Sequence, residues 1–360
     1  MLRWQIWSTL WSYVSHFLRY INPFQSKLTQ SVGTALDEDV EQCRTLERQL
    51  HHSSKSPSEE SSHFIIEEYS IATEQTSNRK LLRIGIFAQV HLLDGTVIRK
   101  VPCSESEEHK QPILREATIY AILGQHPRIA QYLSHGKTDY IDIKYYPYGD
   151  LAAYTQNNKD KITPDLQSKW FQQIIEAVVK IHEHDVVHSD LALRQFFLDD
   201  DLNVRLGDFN SSQYPGHVAL GYEKASHCLP RDYDSPNTVM SDLFALGSTL
   251  YELVAGKAPY SELYPVEPED VMRSKDHTVI RARIQRQQQV DLEIEARYKD
   301  GHFPDVACLF GGKIILGCWE GSISSAKDAL VQCMALVGDV QDGNIEYKGT
   351  LQTRSGIGFD

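Results

Sequence analysis

Residues 186–210, VVHSDLALRQFFLDDDLNVRLGDFN, constrain this chain more than any other stretch. Two aspartates, Asp190 and Asp208, stand 18 residues apart. Between them FFL, DDD and NVRL have the form of a strand, a tight turn and a second strand. A hairpin brings the chain back to where it began, so both carboxylates are predicted to face one cleft. One can then accept a hydroxyl proton while the other holds a divalent cation, as phosphoryl transfer requires. An isolated aspartate is more often a loop cap, but two at this spacing outweigh that reading.

Around this stretch the pattern changes character along the chain. LLRIGIFAQVHLLDGTVIRKVP, from Leu81, reads as strand, turn, strand, with DGT as the hairpin turn. SEEHKQPILREATIYAILGQ reads as a helix that His126–Pro127 ends, followed by short strands in IAQYLS and YIDIKYY. Further on, Leu166, Trp170, Ile174, Val178 and Ile181 form one helical stripe, and Leu243, Leu246, Leu250 and Leu253 another. RARIQRQQQVDLEIEARYKDG reads as a solvated helix, with Glu293 and Arg297 at i, i+4. A strand-rich first third before a helical remainder predicts an α+β protein of two lobes.

Composition narrows the function classes. The 360 residues carry 36 Lys and Arg against 49 Asp and Glu, a net charge of −13. That balance argues against a general nucleic-acid binder, which needs a basic face for phosphates. The six cysteines form no CxxC pair, so neither a zinc site nor a disulfide framework is expected and a reducing compartment is the default. No apolar run reaches the 18 or so residues of a spanning helix.

The first 78 residues differ from the rest. Trp4, Trp7, Trp11, Val14, Leu18 and Ile21 share one helical face, and Pro23 ends it. Three readings of residues 1–22 stand side by side: a helix docked on the protein's own surface or frayed, an interfacial membrane helix, and a cleaved segment for organelle import, mitochondrial included. Residues 23–80, with HHSSKSPSEESSH inside them, predict an acidic and largely disordered linker. The globular body is expected over 81–338, its first lobe at about 81–144 and its second at about 150–338, with a tail at 339–360.

The body resembles the eukaryotic protein kinase family. His188-Ser189-Asp190-Leu191-Ala192-Leu193-Arg194-Gln195 lies over the catalytic-loop pattern HRDLxxxN, and Asp208-Phe209-Asn210 over DFG. Lys100 ends a strand where the family has its β3 lysine, and Glu116 stands where the paired αC glutamate belongs. Tyr145 and Tyr146 resemble the hinge whose backbone reads adenine. Ser241-Asp242-Leu243-Phe244-Ala245-Leu246-Gly247 resembles the helix that anchors the catalytic loop, and Gly301-His302-Phe303-Pro304 and Cys318-Trp319 are late landmarks. Each motif alone is weak; in this order together they are specific. The resemblance implies a bilobal fold using ATP and magnesium on a protein substrate. It implies Asp190 as base, Lys100 on the phosphates and Arg194 as an extra cation near them, a plain surface arginine being the alternative. Gly85, Val90, Ile98, Lys100, Glu116, Tyr145 and Tyr146 would line the nucleotide, and Asp208 and Gln195 would hold metal.

Departures from the pattern set further expectations. The glycine-rich loop GxGxxGxV is matched at only one glycine, Gly85; Arg83 and Ala88 fill the other two positions. With Ile98 in a place that usually holds alanine, ATP binding is expected to be weak. Ser189 replaces the arginine that receives an activation-loop phosphate, so loop phosphorylation is not expected to switch this protein on. Gln195 replaces the second-metal asparagine and is expected to cost rate. Leu229-Pro230-Arg231 stands in place of APE, and the arginine that pairs with that glutamate is absent as well. Two functions follow: a protein kinase, Ser/Thr by frequency with Tyr open and of low activity, or a pseudokinase that binds or scaffolds. Small-molecule phosphorylation is the weaker third. The expected location is cytoplasmic, with membrane association through residues 1–22 and mitochondrial import as alternatives.

Overall fold

The computed structural model describes residues 79–341 apart from positions 86, 138, 233 and 234. The expectations for residues 1–22, for the linker up to 78 and for the tail from 342 lie outside the described residues.

Four antiparallel strands build the first lobe: β1 (Arg79–Ile84), β2 (Ala88–Leu93), β3 (Val97–Pro102) and β4 (Ile141–Lys144), hydrogen-bonded in that order. The β2–β3 turn matches the expectation from DGT, because Asp94 and Gly95 both take positive φ (47° and 72°) as a tight hairpin demands. The stretch before it differs from the single strand expected there. The Gly85 N–H donates to Ala88 O at 2.8 Å, and this short closure divides the run into β1 and β2. β1 also begins at Arg79, two residues inside the expected linker.

One helix, α1 (Glu107–Leu123), lies between β3 and β4. It stops before His126 because Gly124 takes φ 64° and ends the helical hydrogen bonding. The strand expected at Ile129–Ser134 forms only isolated bridges. Ile129 pairs with Leu206 of the second lobe and Tyr132 with Ile143, so two sheets divide its backbone between them.

The second lobe is helical: α2 (Leu151–Asn157), α3 (Pro164–His182), α4 (Val239–Ala255), α5 (Glu269–Arg273), α6 (His277–Lys299), α7 (Gly312–Glu320) and α8 (Ala326–Gln341). Asp150, Thr163 and Thr238 cap α2, α3 and α4 through their side-chain oxygens. The two apolar stripes meet in the core, where Trp170, Ile174, Val178, Ile181, Leu243, Leu246 and Leu250 are fully buried. α4 and α7 approach closely: a Cβ on Gly247 would stand 2.8 Å from Cys318 Cβ. α6 is mostly solvated as expected, with Arg297 on Glu293 at 2.9 Å. Among the described residues no helix is long and apolar enough to cross a membrane.

The hairpin predicted between the two aspartates is β5 (Phe196–Leu198) with β6 (Val204–Leu206). α3 holds it, since the Trp170 indole N–H donates to Leu202 O at 2.9 Å and Gln173 Oε1 accepts the Val204 N–H at 2.8 Å.

Candidate active site

The loop bearing Asp190 hangs from one buried carboxylate. Asp242, in the first turn of α4, accepts the backbone N–H groups of His188 at 2.6 Å and Ser189 at 3.0 Å, and the His182 Nε2–H at 3.1 Å. Ser189 is fully buried in the left-handed region at φ 67°, and this turn presents Asp190. Both Asp190 oxygens are engaged: Oδ1 by Arg194 Nη2 at 2.5 Å and Oδ2 by Gln195 Nε2 at 2.7 Å. The hairpin closes on itself here, with the Gly207 N–H on Gln195 O at 3.0 Å and His188 Nε2 donating to Gly207 O at 3.1 Å. The return of Asp208 to the Asp190 loop is as read from the spacing.

Across from this loop Lys100 reaches down from β3. Its Nζ lies 2.9 Å from both Glu116 oxygens and 2.7 Å from Asp208 Oδ1. Glu116 has no exposure and Lys100 little, so these charges interact with scant solvent screening. Burial disfavours the ammonium, but the Asp208 and Glu116 charges outweigh it and hold Lys100 above its usual range. Burial raises the Glu116 carboxyl, with Lys100 pulling it back only in part. Asp208 also resists burial, because the charge and hydrogen bond of Lys100 keep its carboxyl below the ordinary value.

An aromatic column joins the lobes behind these charges. Tyr132 stacks on Tyr120 at 5.4 Å between centroids, Tyr120 meets the edge of Phe209 at 5.2 Å, and Phe209 lies 5.4 Å from His188. Gly207 fits closely beside it, since a Cβ there would stand 3.0 Å from the Tyr120 hydroxyl and 3.1 Å from the Phe197 ring, so a larger residue would have to push them aside. Sequence reading did not single out this column; its signal is Tyr120 one turn after Glu116, on the same helix face.

The residues expected to line a nucleotide are spread over the roof and back of the cleft. Val90 stands opposite Lys100 in the β2–β3 register, and Ile98 lies between Leu92 and Ile143 on the same face as Lys100. Part of the hinge is engaged in bonds of its own. The Tyr145 N–H donates to Thr96 O at 2.8 Å, Tyr146 O accepts from Gly149 at 3.0 Å, and the Tyr146 hydroxyl accepts the Gln131 N–H at 2.9 Å. Those groups serve the fold. Gln195 departs further: its extra methylene lets the amide nitrogen reach Asp190, and its hydrogen bonds do not bring it to Asp208. Among the described residues no group of three or more His, Cys, Asp or Glu is gathered for a metal.

Residues 92–334, more than half of the 360, match the protein kinase domain family. The chain belongs to the protein kinase family. It is 32% identical to the serine/threonine-protein kinase Nek3 of Mus musculus over 155 residues, 41% of this chain and 30% of that one. It is 30% identical to the SNF1-like protein kinase ssp2 of Schizosaccharomyces pombe over 168 residues, 44% of this chain and 28% of that one. The cell cycle serine/threonine-protein kinase CDC5/MSD2 of Saccharomyces cerevisiae matches at 27% over 168 residues, 43% of this chain and 23% of that one. The chain thus spans less than a third of the length of these curated relatives.

Two devices of this kinase domain were not legible beforehand. Arg115, the neighbour of Glu116 on α1, is buried and donates from Nη1 to Ser212 O at 2.6 Å and Val218 O at 2.5 Å. The segment after Asp208 is thereby tied to α1 by its backbone, a tether that does not require the phosphate Ser189 could not bind. Lys224 joins the charges near Asp190, its ammonium pushed down to about 8 by the Arg194 charge and burial.

The second device replaces the missing APE pair. Arg231 does not stand idle: its Nη2 bonds Glu223 Oε2 at 3.0 Å and also meets Asn237 Oδ1, whose amide donates to Gly221 O at 2.8 Å. A cation now stands at the acid's place and finds its partner acid eight residues upstream in the same segment. Burial pushes the Glu223 carboxyl up to about 7, with Arg231 opposing. A carboxyl raised in the folded state binds its proton more tightly there, so its contribution to stability is full below pH ~4.5 and is lost as pH rises through ~7. Glu223→Gln is therefore expected to gain on the wild type between pH 5 and 8, by up to about 3 kcal/mol in urea unfolding. A difference that does not change with pH would refute it.

Proposed function

We propose that this chain is a magnesium-dependent protein kinase that transfers the γ-phosphoryl group of ATP to a serine or threonine hydroxyl of a protein. The acceptor class follows the relatives, two of which are named serine/threonine-protein kinases. One observation carries the reading: Lys100 is clamped between Glu116 and Asp208, and the backbone just before Asp208 is hydrogen-bonded back to the end of the Asp190 loop. An ammonium so held stays charged and suits the phosphates of a nucleotide.

Asp208 fits a hard cation, being an ionised carboxylate with 30% of its side chain exposed. Magnesium bound there would neutralise charge on the β- and γ-phosphate oxygens. Asp190 accepts the proton of the acceptor hydroxyl as that oxygen attacks the γ-phosphorus and the bond to the β–γ bridging oxygen breaks, releasing ADP. Arg194 and Gln195 fix the direction of its carboxylate, and Arg194 adds positive charge where the phosphoryl group passes. Gln195, turned toward Asp190, orients the base and is not needed as a metal ligand.

A pseudokinase is the second reading, favoured by the commitment of the Gln195 amide nitrogen to Asp190. Two measurements separate the readings. ATP with magnesium at 100 times its Kd should stabilise the protein by about 2.7 kcal/mol. Radiolabel from ATP should then pass to a generic protein acceptor. Stabilisation without transfer would make it a binding module; the absence of both would overturn the proposal.

A further inference from the structure

The roof of the cleft carries a second cation besides Lys100. β1 and β2 pair with a register shift between Leu81 and Arg83, so that Leu81 opposes His91 while Arg83 opposes Val90. Such a bulge re-aims the side chains beyond it. Val90 in turn opposes Lys100, and Lys100 opposes Ile141. Residues directly opposite across antiparallel strands project from one face. Arg83, Val90 and Lys100 therefore form one row on the face from which Lys100 reaches Asp208. Two strand spacings, roughly 10 Å, separate the backbones that carry the two cations.

The charge of Arg83 is felt on the other lobe at two places. It lowers the carboxyl of Asp208, and it opposes the upward push of burial on Asp150 at the head of α2. The guanidinium charge of Arg83 reaches both carboxylates from the sheet row that also carries Lys100. It occupies a position where a glycine would let the backbone approach the phosphates. A side chain here excludes that approach, but a planar fork of N–H donors is itself suited to phosphate oxygens.

We propose that Arg83 binds the polyphosphate of a nucleoside triphosphate, taking over part of the grip that the missing loop glycines would supply. The inference rests on the kinase reading and deepens it. Lys100 holds the inner phosphates from β3 and Arg83 closes on the chain from β1, so affinity resides in charge more than in backbone contact.

Calorimetric titration of the full chain with ATP and with adenosine tests it. Arg83→Gln should weaken ATP about tenfold and leave adenosine within about twofold, the value of one charge-assisted contact. Arg83→Lys should fall between them, because it keeps charge without the fork. Arg83→Gly separates charge from bulk. If glycine tightens ATP, the arginine is an obstruction or a latch on Asp150 and the proposal fails. If Arg83→Gln binds ATP as the wild type does, the proposal also fails while the kinase reading stands. Should the wild type bind neither ligand, both fall together.

Discussion

Asp190→Asn is expected to lower phosphotransfer by about a thousandfold, the scale on which a positioned proton acceptor contributes. The substitution keeps the shape of the side chain and removes its charge. The Gln195 amide and the Arg194 guanidinium both donate to this carboxylate, and the amide group of asparagine can still accept from only one of them. The loop itself should not move, because its backbone is held by Asp242 through His188 and Ser189. Urea unfolding should thus stay within about 1 kcal/mol of the wild type, as for changes away from the core. ATP affinity should also be unchanged, since Lys100 and Asp208 are untouched. Transfer of label by the variant at more than a tenth of the wild-type rate would remove Asp190 from the role of base.

Lys100→Met has the second large effect, and on two quantities at once. It deletes the cation between Glu116 and Asp208, leaving two carboxylates facing one another, one of them with no exposure. Breaking a buried pair from one side costs about 3–5 kcal/mol, because the remaining charge stays unpaired. Glu116 would take up a proton or swing α1 outward, and the column through Tyr120 and Phe209 would loosen with it. Activity should fall below detection. The double variant Lys100→Met/Glu116→Leu separates the two consequences. Removing both partners is often nearly neutral, so most of the lost stability should return, with no return of activity. A double variant as unstable as the single one would mean that the pair does not hold α1 in place.

Much of the catalytic apparatus was legible in the linear chain. The return of Asp208 to the Asp190 loop could be read because a short turn, residues 199–203 in the structure, folds one β-run back on the other. The stripes of α3 and α4 were equally plain, since helical period alone says which side chains must leave water. Lys100 and Glu116 were found by resemblance to the protein kinase family, and the structure joins them at 2.9 Å. The misjudged boundaries have local causes. Gly124 ended α1 before the proline could, and the closure at Gly85 broke an apolar run whose alternation looked continuous.

What the order of residues determined is the fold class and the set of charged groups that meet. Periodicity and turn chemistry act over a few residues, so they can be read without knowing what lies opposite. What only the tertiary structure decided is how those groups spend their hydrogen bonds. Gln195 turned to Asp190, Arg115 tied down a backbone about a hundred residues away, and Arg231 found its acid in Glu223. Each outcome depends on which donor reaches which acceptor once desolvated, and that distance is set by packing between segments far apart in the chain.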